Sequence, residues 1–260
     1  MGGGGFTMEP QNPALDEFIL SLAGRREPRI LLLPTASGDS EEQAGRFHAT
    51  YDDRGCTASV LSLFRLGLRG PVDLRALVLE QDVVYVGGGS LRNMLAIWRE
   101  HGLDQVLREA WAAGVVLAGL SAGAMCWFEG GVTKSSGEPE PVDGLGLLPG
   151  SFTVHADGEP ERLPVYEQAV ATGRLPVGWA ADDGVGLLFR ETSLERVVSS
   201  RPGRRALRIE PDGEGGVQRT TLVPEELARP AALGDRPVPG DVLEFRRARR
   251  GPGGFRAARP

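Results

Sequence analysis

Three short, unbroken apolar runs constrain this chain most: 29–35 (RILLLPT), 82–86 (DVVYV) and 115–120 (VVLAGL). Each lacks the alternation of a half-solvated strand and is shorter than a core helix, so each reads as a strand buried on both faces. Such strands need apolar layers above and below, and the segments between them supply helical patterns. Residues 13–24 carry Leu15, Phe18, Ile19 and Leu22 at i, i+3, i+4, i+7 spacing. Residues 39–54 form a polar helix capped near Asp39 or Ser40, with Glu42 in its first turn. Further helices are predicted over 72–80, 90–99 (capped by Ser90) and 103–113, and another strand over 57–64. The expectation is an α/β three-layer sandwich with a mostly parallel central sheet. Beyond about residue 183 the pattern changes to short strands at 186–189, 194–200, 206–209 and 217–222, separated by turn residues, which read as an antiparallel extension of the same domain. That domain is expected to span 1–245, followed by an Arg/Gly/Pro-rich tail over 246–260.

Composition excludes several functions. With 260 residues the chain has room for a sizeable core. No apolar run approaches the roughly 20 residues of a membrane helix, and residues 1–6 lack the basic-then-apolar order of a signal peptide. The protein therefore reads as cytoplasmic, with no membrane partner. Two cysteines, Cys56 and Cys126, cannot build a disulfide framework, and His48, His101 and His155 show no zinc spacing. Neither a metal nor another cofactor is expected. A formal net charge of −6 argues against a nucleic-acid partner. Six arginines lie in 246–259 with no acidic residue, and that stretch reads as a solvated, disordered end. Self-association as a homodimer is compatible with this composition.

The main chemical signal is Gly119-Leu120-Ser121-Ala122-Gly123, a G-x-S-x-G that directly follows an apolar strand and precedes a helix-like segment, 122–128. That context sets a serine on a sharp strand-to-helix turn with its hydroxyl above the sheet edge. The N–H groups opening the next segment favour developing negative charge, and Ala122 N–H is a natural oxyanion donor. The competing reading is a small-residue turn where a helix packs closely on a strand. Gly87-Gly88-Gly89-Ser90 ends the preceding strand, where open α/β sheets place their sites. Gly88 or Gly89 offers a second oxyanion N–H there; a plain tight turn and a phosphate cradle are the competing readings. Asn93, Met94 and Trp98 follow on the next helix, the last two also suited to the core.

A serine needs a base. His48 and His101 read as solvated surface residues. His155 ends a strand-like run, 151–155, on the element after the serine, which makes it the candidate. Its acid partner is open. Asp183, in Ala181-Asp182-Asp183-Gly184, is favoured; Asp182, Asp157, Glu159, Glu129 and Glu138 are alternatives. No histidine follows 155, so the order Ser, His, acid disfavours an ordinary esterase or lipase.

These motifs in order, with 143–150 (DGLGLLPG) and Gly158-Glu159-Pro160-Glu161-Arg162, resemble the peptidase E (aspartyl dipeptidase) family, with cyanophycinase a more distant relative. The resemblance spans roughly 29–200. It implies a class I glutamine-amidotransferase-like fold, cleavage of small peptides with N-terminal aspartate, and no metal. Carried over by position, Ser121 matches the nucleophile, His155 the family histidine, Gly88 or Gly89 with Ala122 the oxyanion hole, and Asp183 the acid of an acid-glycine pair. Arg162 matches an arginine near the substrate, suited to pairing with its carboxylate. Independently of the resemblance, Ser90 and Asn93, just after the glycine turn, are expected to line the substrate cleft. The chain departs from the family at Lys134, Ser135 and Ser136, where peptidase E has an acid, and at Val154-His155-Ala156-Asp157, where the family reads Pro-His-Tyr-Asp or Pro-His-Phe. The first departure motivates a second reading, a non-catalytic binding or regulatory protein on the same fold. A glutamine amidotransferase is disfavoured, because its nucleophile would be a cysteine and Cys126 lies about one helical turn beyond the elbow.

Overall fold

The apolar runs are strands, and helices follow each of them, as their burial demands. The computed structural model describes residues 1–68 and 70–228. The first half runs α1 (Gly5–Met8), α2 (Ala14–Leu22), β1 (Arg29–Leu33), α3 (Glu41–Tyr51), β2 (Thr57–Val60), α4 (Leu74–Leu79), β3 (Val83–Val86), α5 (Leu91–Glu100), α6 (Leu103–Ala112) and β4 (Val116–Gly119). The second half runs α7 (Ala122–Met125), β5 (Phe128–Thr133), β6 (Glu140–Asp143), β7 (Leu148–Thr153), α8 (Arg162–Ala171), β8 (Gly178–Ala181), β9 (Val185–Arg190), β10 (Ser193–Ser199), β11 (Ala206–Pro211), β12 (Val217–Leu222) and β13 (Glu225–Glu226).

Strands β2-β1-β3-β4 form a wholly parallel sheet. Successive side chains point to opposite faces, so each strand feeds two cores. Ile30, Leu32, Val83 and Tyr85 pack with Phe6, Ile19, Phe47 and Tyr51 of α1, α2 and α3. Leu31, Leu33, Val84 and Val86 pack with Leu91, Met94, Trp98, Leu103 and Leu107 of α5 and α6. This is the expected helix–sheet–helix layering. Leu33 pairs with Val86, and Val86 with Gly119, so β1, β3 and β4 end level and their following loops share one edge.

A second sheet has the order β12-β11-β8-β7-β5-β6, parallel at β5-β7-β8 and antiparallel elsewhere. Tyr166, Ala169 and Val170 of α8 bury its face against Val132, Ala180 and Ile209. The antiparallel extension expected beyond 183 is present but divided. Strands β11 and β12 widen the second sheet, whereas β9 and β10 form a hairpin that joins β13 in a third. The segment after the elbow also differs from expectation: α7 is a single turn, and the chain re-enters a strand at Phe128. Gly130 and Gly131 disfavour helix, and Phe128 packs against Phe152 and Trp179 at ring-centroid distances of 5.1 and 5.8 Å, which holds it in the sheet. No described helix is long and apolar enough to cross a membrane. The expected boundary at 245 and the tail 246–260 lie outside the described residues.

Candidate active site

Ser121 follows β4 in a backbone conformation of φ 54°, ψ −118°. A non-glycine residue there is strained, and the surroundings must hold it. The two flanking glycines make the turn possible: a Cβ on Gly119 would lie 2.0 Å from Gly123 O, and one on Gly123 would lie 2.3 Å from Val86 O. Ser121 N–H donates to Met1 O at 3.2 Å, so residue 1 braces the elbow from below. The N–H groups of Ala122, Gly88 and Gly89 make no hydrogen bond among the described residues. Gly88 faces the serine closely, since a Cβ on it would stand 3.3 Å from Ser121 Cβ.

His155 and Asp183 follow the C-terminal ends of β7 and β8, which run parallel side by side with Thr153 opposite Ala180. Residues just past those ends therefore meet. His155 has φ 56°, and Ala156 N–H donates to Ala181 O at 3.1 Å, tying its loop to β8. His155 Nε2 lies 2.9 Å from Ser121 Oγ, and Nδ1 lies 2.5 Å from Asp183 Oδ1. Both His155 and Asp183 are buried. Among the acids left open by sequence, Asp183 alone is placed against the histidine ring nitrogens. Asp157 Oδ1 instead accepts from Asp183 N–H at 2.8 Å, orienting the acid's backbone. Asp182 accepts from Arg205 N–H, Glu129 from Gly150 N–H, and Glu138 is exposed. The other two histidines lie on the surface, His48 paired with Asp52 and His101 capping α5. The Cys126 thiol is buried, donates to Gly123 O and has its pKa pushed well up by that burial, so it is no thiolate nucleophile.

A cleft of about 250 Å³ opens beside Ser121 and reaches Gly88, Gly89, His155, Lys134 and Arg162. Arg162 is present as expected, but its guanidinium is engaged. Nε and Nη2 donate to Glu159 Oε2 at 3.1 and 2.6 Å, and Nη1 donates to Val132 O at 2.5 Å. Burial pushes the Glu159 carboxyl up, but Arg162, His155 and Lys134 more than offset this and leave it below the usual range. Arg162 thus lines the cleft while its charge is paired with the buried Glu159, and two of its five N–H donors are not held by that pair or by Val132 O. Ser90 caps α5, its Oγ accepting from Asn93 N–H, and Asn93 is exposed; neither lines the cleft. Met94 and Trp98 belong to the core. Sequence reasoning missed Thr7, Met8, Gln43 and Arg46, which also line the cleft. Residues 1–6 read in sequence only as glycine-rich, and no pattern in them pointed to the cleft.

The scaffold and the serine at its edge define a serine-type peptidase, and comparison with known proteins shows which kind. Residues 1–197 match the family model described as Peptidase family S51, and the chain belongs to that family. The peptidase E resemblance of its motifs agrees with this. The chain is 51% identical over 209 residues to the uncharacterized peptidase YgaJ of Bacillus subtilis (strain 168), covering 80% of this chain and 90% of that one. A shorter stretch of 96 residues is 34% identical to imidazole glycerol phosphate synthase subunit HisH of Geobacillus thermodenitrificans (strain NG80-2), covering 35% of this chain and 43% of that one. In fold it is similar to a peptidase from an acI-B1 Actinobacterium, with a TM-score of 0.63 at 21% identity, covering 88% of this chain and 94% of that chain.

Proposed function

We propose that this peptidase hydrolyses small peptides, dipeptides with N-terminal aspartate in particular, through an acyl-enzyme on Ser121. The observation that carries this is the chain of contacts Ser121 Oγ–His155 Nε2 at 2.9 Å and His155 Nδ1–Asp183 Oδ1 at 2.5 Å. His155 Nε2 takes the Ser121 proton as Oγ attacks the peptide carbonyl carbon. The oxyanion is held by Ala122 N–H and by Gly88 or Gly89 N–H, which are otherwise unengaged among the described residues. The imidazolium, steadied by Asp183, gives its proton to the leaving amine as the C–N bond breaks. Water, deprotonated by His155, then attacks the ester and returns Ser121. The aspartyl preference rests on the family resemblance and on the cations lining the cleft.

The test is aspartate release from a panel of Asp-X dipeptides by the parent enzyme and Ser121→Ala, with labelling by a fluorophosphonate probe. Turnover and labelling that vanish together in the variant support the reading. Neither turnover nor labelling in the parent would leave the binding-protein reading instead.

A further inference from the structure

An aspartyl substrate brings a carboxylate into the cleft, and Arg162, the cation expected to meet it, already has its charge paired with the buried Glu159 and a third N–H on Val132 O. Two other cations line the cleft. Arg46, on α3, pairs with Glu42 and donates to Thr7 O. Lys134 is the only lysine in the chain and stands where β5 ends. Thr133 Oγ1 and Ser135 Oγ lie 2.8 Å apart on either side of it and fix that turn.

The Lys134 side chain is 5% exposed, yet its ammonium has one hydrogen-bond acceptor among the described residues, Glu161 Oε1 at 2.5 Å. An ammonium carries three donors, so two remain. Its partner is differently placed: the Glu161 side chain is 40% exposed, on the solvent side of the pair. Glu161 can turn out into water at little cost, whereas Lys134 cannot leave. A carboxylate entering the cleft would take Glu161's place with no change in the number of paired charges. With Lys134 largely screened from solvent, that attraction exceeds its surface value.

We infer that Lys134 is the residue that selects an anionic substrate side chain, and that Glu161 is its internal competitor. This rests on the peptidase reading above and names the residue that meets the substrate's carboxylate.

The experiment measures kcat/KM for Asp-Leu and Asn-Leu with the parent enzyme, Lys134→Met and Glu161→Gln, alongside fluorophosphonate labelling of Ser121. Lys134→Met is expected to lower the Asp-Leu to Asn-Leu ratio about tenfold or more, chiefly through KM for Asp-Leu. Glu161→Gln is expected to move the same KM in the opposite direction, because it removes the competitor. A merely structural pair would make both variants lose activity alike on both peptides, and an unchanged ratio in Lys134→Met overturns the inference while labelling of Ser121 leaves the peptidase reading standing. If Ser121 is labelled but neither dipeptide is turned over, the same ratio is read from how well each peptide protects Ser121 from the probe. Absence of labelling in the parent overturns the peptidase reading and this inference with it.

Discussion

Gly3 lies directly against Asp183: a Cβ built on Gly3 would stand 2.1 Å from Asp183 Oδ1, the oxygen that meets His155 Nδ1 at 2.5 Å. The first residues of the chain are woven into the site. Gly2 N–H donates to Val185 O, Gly184 N–H donates to Gly3 O, and Met1 O accepts from Ser121 N–H. One arm thus packs under the serine and beside the acid, while Thr7 and Met8 continue it into the cleft wall. Gly3→Ala is expected to displace the Asp183 carboxylate and lower kcat about 100-fold with little change in KM, the loss that a misplacement of about 1 Å in an active site can bring. Steady-state kinetics on the folded variant checks this, and parental kcat would show that the arm yields instead.

Asp183→Asn keeps the shape of the acid but removes its charge and favours the wrong histidine tautomer. In a serine triad such a change costs about 10⁴-fold in kcat. The same loss is expected here, with fluorophosphonate labelling of Ser121 slowed in parallel. Unaltered labelling would remove Asp183 from the mechanism and return the role to an acid elsewhere.

Arg162 and Glu159 are both buried and satisfy each other. Removing one partner of a buried pair leaves an uncompensated charge, at about 3–5 kcal/mol. Arg162→Met should therefore lower the urea midpoint clearly, and Arg162→Met with Glu159→Leu should recover much of it. A variant of parental stability with a raised KM would assign Arg162 to the substrate instead.

Asp16 carries a pH dependence. It is fully buried on α2, accepts from Tyr51 O–H at 2.7 Å and Phe6 N–H at 3.2 Å, and its Oδ2 has no partner among the described residues. Burial pushes its carboxyl up to about 6 from 3.8, although Tyr51, Phe6 N–H and Arg54 pull it down. Between those values the folded chain holds more proton than the unfolded chain. Stability is therefore lost as pH rises through the window, by about 3 kcal/mol in full. Asp16→Asn keeps an acceptor for Tyr51 and Phe6 and should remove that loss. Urea unfolding at pH 4.5 and 7.5 is expected to show the variant gaining on the parent at the higher pH; a constant difference would place the ionisation elsewhere.

Much of this was legible in the residues. Apolar runs at β1, β3 and β4 announce a buried parallel sheet, because only strands covered on both faces are apolar throughout. The G-x-S-x-G after β4 announces the elbow, because Gly119 and Gly123 approach neighbouring backbone too closely for any side chain. His155 followed by elimination among three histidines. Strand β5 was hidden by Gly130 and Gly131, and α8 by Pro164, which is tolerated in its first turn.

By itself, then, the sequence determined the layering, the strained serine and the identity of the histidine beside it, since each is encoded within a few neighbouring residues by periodicity, glycine spacing or scarcity. Only the tertiary structure decided which acid meets His155, that Arg162 pairs with a buried acid while Lys134 pairs with a solvent-facing one, and that the glycine-rich first residues press on Asp183. Those outcomes depend on which chain ends the sheet registers bring level and on the approach of segments far apart in the chain, such as Gly3 and Asp183, and no local pattern carries that information.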